Sequence, residues 1–202
     1  MGTREKILDK ALEMFNERGI EYVGLRELAS VLGMRVSNIT YYFPTKDDLV
    51  NQLSVDMSTL NSKVVVNHAE IDLQQWLGMI EAVFRNHIQY RCLLLSFVHL
   101  MGQNKKIAMR YEKTQQNRNE AIREIFLSLS RNGYLKVPET QVLDFLVSTT
   151  ALIIRFWISE SAISLKLKSP EEQIHHYLQL IVQLILPYST SKARKQLSAM
   201  GY

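Results

Sequence analysis

Residues 25–49 read Leu25-Arg26-Glu27-Leu28-Ala29-Ser30-Val31-Leu32-Gly33-Met34-Arg35-Val36-Ser37-Asn38-Ile39-Thr40-Tyr41-Tyr42-Phe43-Pro44-Thr45-Lys46-Asp47-Asp48-Leu49, and this stretch decides the fold. Two apolar-periodic segments lie either side of Gly33, and the second ends in aromatics and a proline. Each is too short to be a stable helix alone in water, so each must dock on something larger. Two short helices joined by a tight glycine-containing turn form the helix-turn-helix pattern, whose second helix enters the major groove of DNA.

The flanking sequence supplies the support. Thr3 is placed to cap a helix starting at Arg4, and Gly19 to end it in the left-handed conformation. Between them Ile7, Leu8, Ala11, Leu12 and Phe15 make one apolar stripe. Gly24 begins the second helix, with Leu25, Leu28, Ala29 and Leu32 inward, and Met34 fills the turn after Gly33. The third helix runs from about Arg35 to Tyr42, anchored by Val36 or Ile39 and by Phe43. Arg35, Ser37, Asn38, Thr40 and Tyr41 then face outward. Asn pairs with adenine edges, Arg with guanine or phosphate, and the apolar parts of Thr and Tyr with thymine methyls. The plain alternative is a short helix with a solvated polar face. Thr45 and Asp48 form a capping box for the next helix. Lys46, in its first turn, sets a cation at the positive end of the helix dipole, a small cost that a nearby phosphate would offset.

Composition bounds the rest. The 202 residues are 47% hydrophobic and 22% charged with eight Gly and four Pro, and apolar residues recur at helical spacing almost throughout, which reads as a soluble all-α chain. The single cysteine, Cys92, excludes an internal disulfide and suits a reducing cytoplasm. The charged N-terminus does not read as a secretory signal. The net charge of +4 does not extend to residues 1–50, where seven Lys/Arg face eight Asp/Glu. Phosphate affinity would need Arg26, Arg35 and Lys46 gathered on one face.

The end of the first helix (Phe15 to Gly19), Leu28-Ala29, Gly33 and the run Tyr41-Tyr42-Phe43-Pro44-Thr45-Lys46-Asp47-Asp48-Leu49 resemble the N-terminal domain of the tetracycline-repressor (TetR) family over about the first 50 residues. The resemblance implies a homodimeric transcription regulator, usually a repressor, with a C-terminal all-α domain that binds a small molecule. By position, Arg35, Val36, Ser37, Asn38, Thr40 and Tyr41 occupy base- and phosphate-facing sites of the recognition helix. Tyr42 and Lys46 occupy backbone-contact sites, and Gly24, Leu25 and Arg26 the phosphate-facing start of the second helix. Three positions depart from the family pattern: Gly24 where Thr or Ser is usual, Arg35 where Ser or Thr begins the recognition helix, and Thr40 where Tyr is common.

The domains implied are 1–48 for DNA binding, 49–188 for effector binding and dimerisation, and 189–202 as a frayed tail. Val50, Leu53, Met57 and Leu60 carry one helix to about Lys63. Asp72 to about Arg91 is the next periodic segment, then an apolar run Cys92–Met101. A long helix spans Asn104–Asn132, closed by Gly133 and interrupted by Thr114, Gln115 and Arg118. Those polar residues either reach solvent along the Arg118 stem or line a polar cavity. Pro138 opens a helix to about Ser164, in which Asp144 and Arg155 come too early for a membrane span. Ser169, Pro170 and Glu172 supply the cap, first position and capping box of a last helix, which Pro187 ends. Helices 138–164 and 170–187 are strongly apolar and suit a four-helix bundle with a second subunit, or else a self-sufficient monomer core. The resemblance places dimerisation in them.

The effector site that the resemblance implies would draw on Trp76, Phe84, His87, Tyr90, Phe97, Met101, Met109, Tyr111, Phe126, Phe145, Thr149 and Trp157. Such a lining suits an apolar or amphipathic ligand. Taken singly, each of these is also an ordinary core residue. His68, His87, His99, His175 and His176 are scattered without metal spacing, Cys92 has no CxxC partner, and no glycine-rich phosphate loop occurs. No enzyme, cofactor or metal is expected. Two rival readings are an all-α small-molecule or lipid carrier that has lost DNA binding, and a scaffold using the C-terminal helices.

Overall fold

Ile7, Leu8, Ala11, Met14 and Phe15 share the buried face of a helix that runs Thr3–Arg18 (α1). Its N-cap is Gly2, whose amide donates to the Glu5 carboxylate at 2.8 Å, so Thr3 is the first helical residue and not the cap. Met14 takes the buried place expected of Leu12, which is only half-buried. Gly19 has the positive φ of +93° that favours glycine, with an extended ψ of 147° that lies outside the left-handed helical region. The computed structural model describes residues 2–64, 71–137 and 139–202. Two sequence expectations, Pro138 as a helix opener and His68, lie outside the described residues.

Among the described residues the helices that follow are α2 Leu25–Val31, α3 Val36–Tyr42, α4 Lys46–Val64, α5 Leu73–Gln89, α6 Arg91–Leu95, α7 Phe97–Gln103, α8 Lys105–Arg131, α9 Thr140–Ser164, α10 Pro170–Ile185 and α11 Ser191–Ala199. No strand forms among them, and an isolated antiparallel bridge joins Leu135 and Ser189. The apolar run 92–101 is two helices, because the chain turns at Ser96 between α6 and α7.

The chain divides into two compact units, one of residues up to Leu60 with Gln89–Tyr111, the other of Asn61–Ile88 with Glu112–Tyr202. In the first, α1 is the floor on which α2, α3 and α6 pack. Leu28, Ala29, Ile39, Phe43, Leu49, Val50 and Leu53 are all buried there, and each large side chain contributes roughly 1.5–3 kcal/mol by leaving water. Polar side chains then tie the floor to later sequence. The Asn16 amide donates to the Gln89 carbonyl at 2.8 Å and accepts from the Cys92 N–H at 3.0 Å. Asn104 caps α8 by accepting from the Ile107 N–H at 3.1 Å and donates to the Asp47 carbonyl at 3.0 Å. Arg110 donates to Asn51 at 2.8 Å and Ser54 at 2.7 Å. Cys92 is buried, and burial pushes its thiol up to about 12, so it is inert as a nucleophile.

The second unit has an aromatic core. Trp76 meets Phe126 edge-on at 5.4 Å between centroids, and Trp157 lies 4.6 Å from Phe84 and 5.4 Å from Tyr177. Of the three polar residues that interrupt α8, Arg118 is exposed and donates to Thr114 at 2.7 Å, while Thr114 and Gln115 are half-buried. Residues after Ser189 are not a frayed tail. Thr190 caps α11 by accepting from the Ala193 N–H at 3.3 Å, and Ala193 and Leu197 are buried. The Thr190 hydroxyl donates to the Gly133 carbonyl at 2.8 Å and the Lys136 N–H donates to the Tyr188 carbonyl at 2.8 Å, which strap this segment to the turn after α8.

The cap of α10 carries a measurable pH signature. The Ser169 N–H donates to the Glu172 carboxylate at 2.8 Å, and Lys168 lies 2.9 Å from it. Hydrogen bonds from the Ser169 backbone, from Lys168 and from the Ser169 hydroxyl hold the Glu172 carboxyl down at about 2. A carboxylate whose folded pKa is depressed stabilises above its unfolded value and loses that contribution as pH falls through the folded one. The Tm advantage of the native protein over Glu172→Gln is therefore expected to shrink as pH drops from 4.5 to about 2. A gap that stays constant over that range would contradict this account of the cap.

Candidate nucleic-acid interface

The helix α3 projects because its burial is confined to one side. Ile39, fully buried, takes the anchoring place left open between it and Val36, which is half-buried. Phe43 stops the helix from the buried side, its N–H donating to the Ile39 carbonyl at 2.8 Å. Gly33, at φ +63°, makes the turn between α2 and α3 that an L-side chain rarely adopts. What remains outside is Ser37, Asn38, Tyr41 and Tyr42, with Tyr41 81% exposed. The two tyrosine rings brace each other edge-to-face at 4.9 Å. Thr40 is half-buried and its hydroxyl donates to the Ser37 carbonyl at 3.4 Å, a weak bond within its own helix.

Thr3, Ser37, Asn38, Tyr41 and Tyr42 together line an open concavity of about 350 Å³. Thr3 joins this face only because α1 packs against α3, a contribution that leaves no signal in local sequence. Arg35 is the exposed N-cap of α3, Gly24 the exposed N-cap of α2, Arg26 is exposed, and Leu25 is half-buried.

Lys46 is half-buried and its Nζ donates to the Glu21 carbonyl at 3.3 Å. Partial desolvation holds its pKa below the ordinary lysine value, against the opposing pull of Glu21 and Asp47. The capping box around it forms as read: the Asp48 N–H donates to the Thr45 hydroxyl at 3.1 Å, and the Thr45 N–H donates back to the Asp48 carboxylate at 3.2 Å. Lys106 adds an ion pair at 2.6 Å, and with Thr45 it keeps the Asp48 carboxyl below its usual range. The one-charge acidic excess of residues 1–50 is answered by Lys106, which pairs with Asp48 from outside the segment, whereas Glu13–Lys10 and Glu27–Arg18 are pairs internal to it.

The residues expected around an effector divide between the units. Tyr90, Phe97, Met101, Met109 and Tyr111 belong to the first, where Tyr90 is buried, the Phe97 and Tyr111 rings stand 5.2 Å apart, Met101 is half-buried and Met109 is 70% exposed. Trp76 and Phe126 are buried as one pair in the second, and Phe84, His87 and Trp157 as a group. Phe145, 53% exposed, lies with Thr149 and Leu152 at helical spacing along α9, and Thr149 is half-buried. His87 accepts a hydrogen bond from the Trp157 indole at 3.1 Å, and burial, with the charge of Arg118 acting the same way, lowers its pKa to about 4. Another open concavity, about 270 Å³, is lined by His176, Gln179, Leu180, Val182, Gln183, Gly201 and Tyr202, none of them an expected effector residue.

Comparison with known proteins accounts for both halves of the chain. Residues 7–53 match the family described as bacterial regulatory proteins of the tetR family, and residues 58–197 match the TetR family described as bacterial transcriptional repressor. A curated relative, the probable HTH-type transcriptional regulator YttP of Bacillus subtilis, is 28% identical over 97 residues, which is 44% of this chain and 47% of that protein. The chain thus spans about half the length of that relative. The fold is that of a TetR-family transcriptional regulator from Marinobacter aquaeolei VT8, with TM-score 0.90, 22% identity and coverage of 99% of this chain and 97% of the other. It is also similar to a putative transcriptional regulator from Saccharomonospora viridis in complex with choline, at TM-score 0.68, 19% identity and 88% and 94% coverage. The ketosteroid transcriptional regulator KstR2 of Mycobacterium tuberculosis gives TM-score 0.66, 16% identity and 94% and 96% coverage. With its N-terminal and C-terminal segments each matched and most of its length covered, this chain belongs to the TetR family of DNA-binding transcriptional regulators.

Proposed function

We infer that the chain acts in the cytoplasm as a homodimeric repressor whose two α3 helices read a palindromic operator, and that a small-molecule effector changes this binding. The observation that carries the reading is the outward set Ser37, Asn38, Tyr41 and Tyr42 on a helix held by Ile39 and Phe43. Base edges and the phosphates beside them would be contacted by Arg35, Val36, Ser37, Asn38, Thr40 and Tyr41. Tyr42, Lys46 and the start of α2 at Gly24, Leu25 and Arg26 would hold phosphates.

The dimer contact would use α9 and α10, where Phe145, Leu152, Ile163 and Leu180 are exposed on the protomer. Asp144 and Arg155 do not break α9 as the sequence reading has it: among the described residues it is the helix that by length and composition alone could cross a membrane. Burial against a second copy gives its outer stripe an aqueous role. An effector with an apolar body would have to part the packed rings of Trp76, Phe84, Phe126 and Trp157 to enter this unit, and the choline complex of the Saccharomonospora protein supports small-molecule binding on this fold.

Selection of bound duplexes from a random library tests the reading: a palindrome with half-sites about one helical turn apart is expected. For the selected duplex, Lys46→Gln should make the slope of log K against log salt less negative by about one for each phosphate the lysine no longer neutralises. Failure to enrich any sequence, with salt-insensitive binding of random DNA, would favour a carrier that has lost DNA binding.

A further inference from the structure

The helix α4 is held in two different ways along its length. Its buried residues, Leu49, Val50, Leu53 and Ser54, all lie in its first half. From Val55 to Val64 no residue is fully buried. Near that end Asn61 meets a polar chain inside the second unit. The Asn86 amide donates to the Asn61 carbonyl at 2.9 Å, the Asn61 amide lies 3.4 Å from Nε2 of His87, and Nδ1 of His87 accepts from the Trp157 indole at 3.1 Å. The chain therefore runs from α4 through α5 to α9. It sits against an aromatic cluster in which His87 is 6% exposed and Phe84 and Trp157 are fully buried.

Proton counting fixes its state. An indole N–H only donates, so Nδ1 of His87 carries no proton, and a neutral ring must carry it on Nε2. Burial keeps the ring neutral at physiological pH, with Arg118 the charged group acting on it. A protonated Nε2 is satisfied only when Asn61 turns its carbonyl oxygen toward it, a half-turn of the amide that Asn86 matches by offering its own oxygen. An apolar anchor tolerates small slides, whereas this one is directional: a shift of the last turns of α4 breaks or remakes a bond to a buried imidazole, and an unpaired buried donor is costly.

We propose that the Asn61–His87 hydrogen bond is a positioning joint that couples the aromatic core of the effector unit to α4, the helix that begins at Lys46, and so to operator affinity. The proposal rests on the DNA-binding reading above. It makes Asn61 and His87 positioning residues that touch no base or phosphate.

The test needs no effector. The full-length protein, labelled with 15N-histidine, is titrated with the duplex selected from a random library, and the His87 signals are assigned with His87→Gln. The free protein is expected to show His87 neutral at pH 7, with the proton on Nε2. Saturating duplex should move the Nε2 resonance. Asn61→Val should remove that movement, keep the hydrogen-bonded Trp157 indole signal, and change operator Kd by about 2- to 30-fold, the range seen for residues that carry coupling between sites. A second variant, Asn61→Asp, places a carboxylate beside Nε2. It should raise the His87 pKa and make operator affinity vary between pH 6 and 8, a range in which the native His87 stays neutral and is expected to add no such variation. A native protein that binds its duplex with an unmoved His87 signal, or Asn61 variants that leave that movement and operator affinity unchanged, would overturn the joint while leaving DNA binding intact. Absence of any selected duplex would overturn the DNA-binding reading and the joint with it.

Discussion

Replacing Asn38, Tyr41 and Lys46 together by alanine is expected to reduce operator binding to the level of random DNA while the protein stays folded. Asn38 and Tyr41 are exposed, and exposed positions away from special features change stability by only about 0.5 kcal/mol either way. Lys46 is half-buried against the Glu21 carbonyl, so it should account for most of whatever stability is lost. On the DNA side, a good base contact is worth roughly 1–3 kcal/mol of discrimination, and in a dimer the same deletion acts in both half-sites. A fall of about 10³-fold or more in specific affinity follows, read by fluorescence anisotropy beside a thermal melt. The contrasting variant is Ile39→Ala, which truncates the fully buried anchor of α3 and should cost about 2–5 kcal/mol of stability. Unchanged operator binding by the triple variant would refute the assignment of the α3 face.

Phe145→Glu combined with Leu152→Glu is expected to give a folded monomer. These side chains are 53% and 55% exposed on the protomer and lie seven residues apart, on one stripe of α9. Acid at these positions costs the isolated protomer little. In a symmetric interface the same patch is used by both copies, so four carboxylates would be desolvated together and repel. Sedimentation should report one chain per particle where the native protein gives two. Operator affinity should then fall by about 10²–10⁴-fold, because the second half-site is no longer delivered at high effective concentration. A double variant that remains dimeric would move the contact away from α9.

The character of the DNA-binding half was legible in residues 25–49 because its determinants are local. A glycine at positive φ, a capping box and an apolar repeat act within a few residues of one another, and Gly33, Thr45–Asp48 and Leu28–Ala29 fold as their spacing directs. The same locality made the Ser169–Glu172 cap readable. Local reading failed where the partner is distant in sequence. Ala193 and Leu197 make a stripe too thin to announce a helix, yet the chain from Tyr188 to Thr190 is bonded to the turn after α8, and that fixes α11. Ser96 splits an apolar run that looked continuous.

For the candidate sites the division is similar. Sequence alone determined the all-α class, the helix-turn-helix and four outward residues of its second segment, Arg35, Ser37, Asn38 and Tyr41, whereas Thr40, read as outward, is half-buried. Tertiary packing decided that Ile39 rather than Val36 is the anchor, that Thr3 joins the Ser37–Tyr41 face, and that Met109 and Phe145 stand on the surface. It also joined His87 to Trp157 and Asn61 in one buried chain. Periodicity shows that a helix has an inner face. Which neighbour that face meets, and whether a polar side chain there finds its partner, depends on residues tens of positions away.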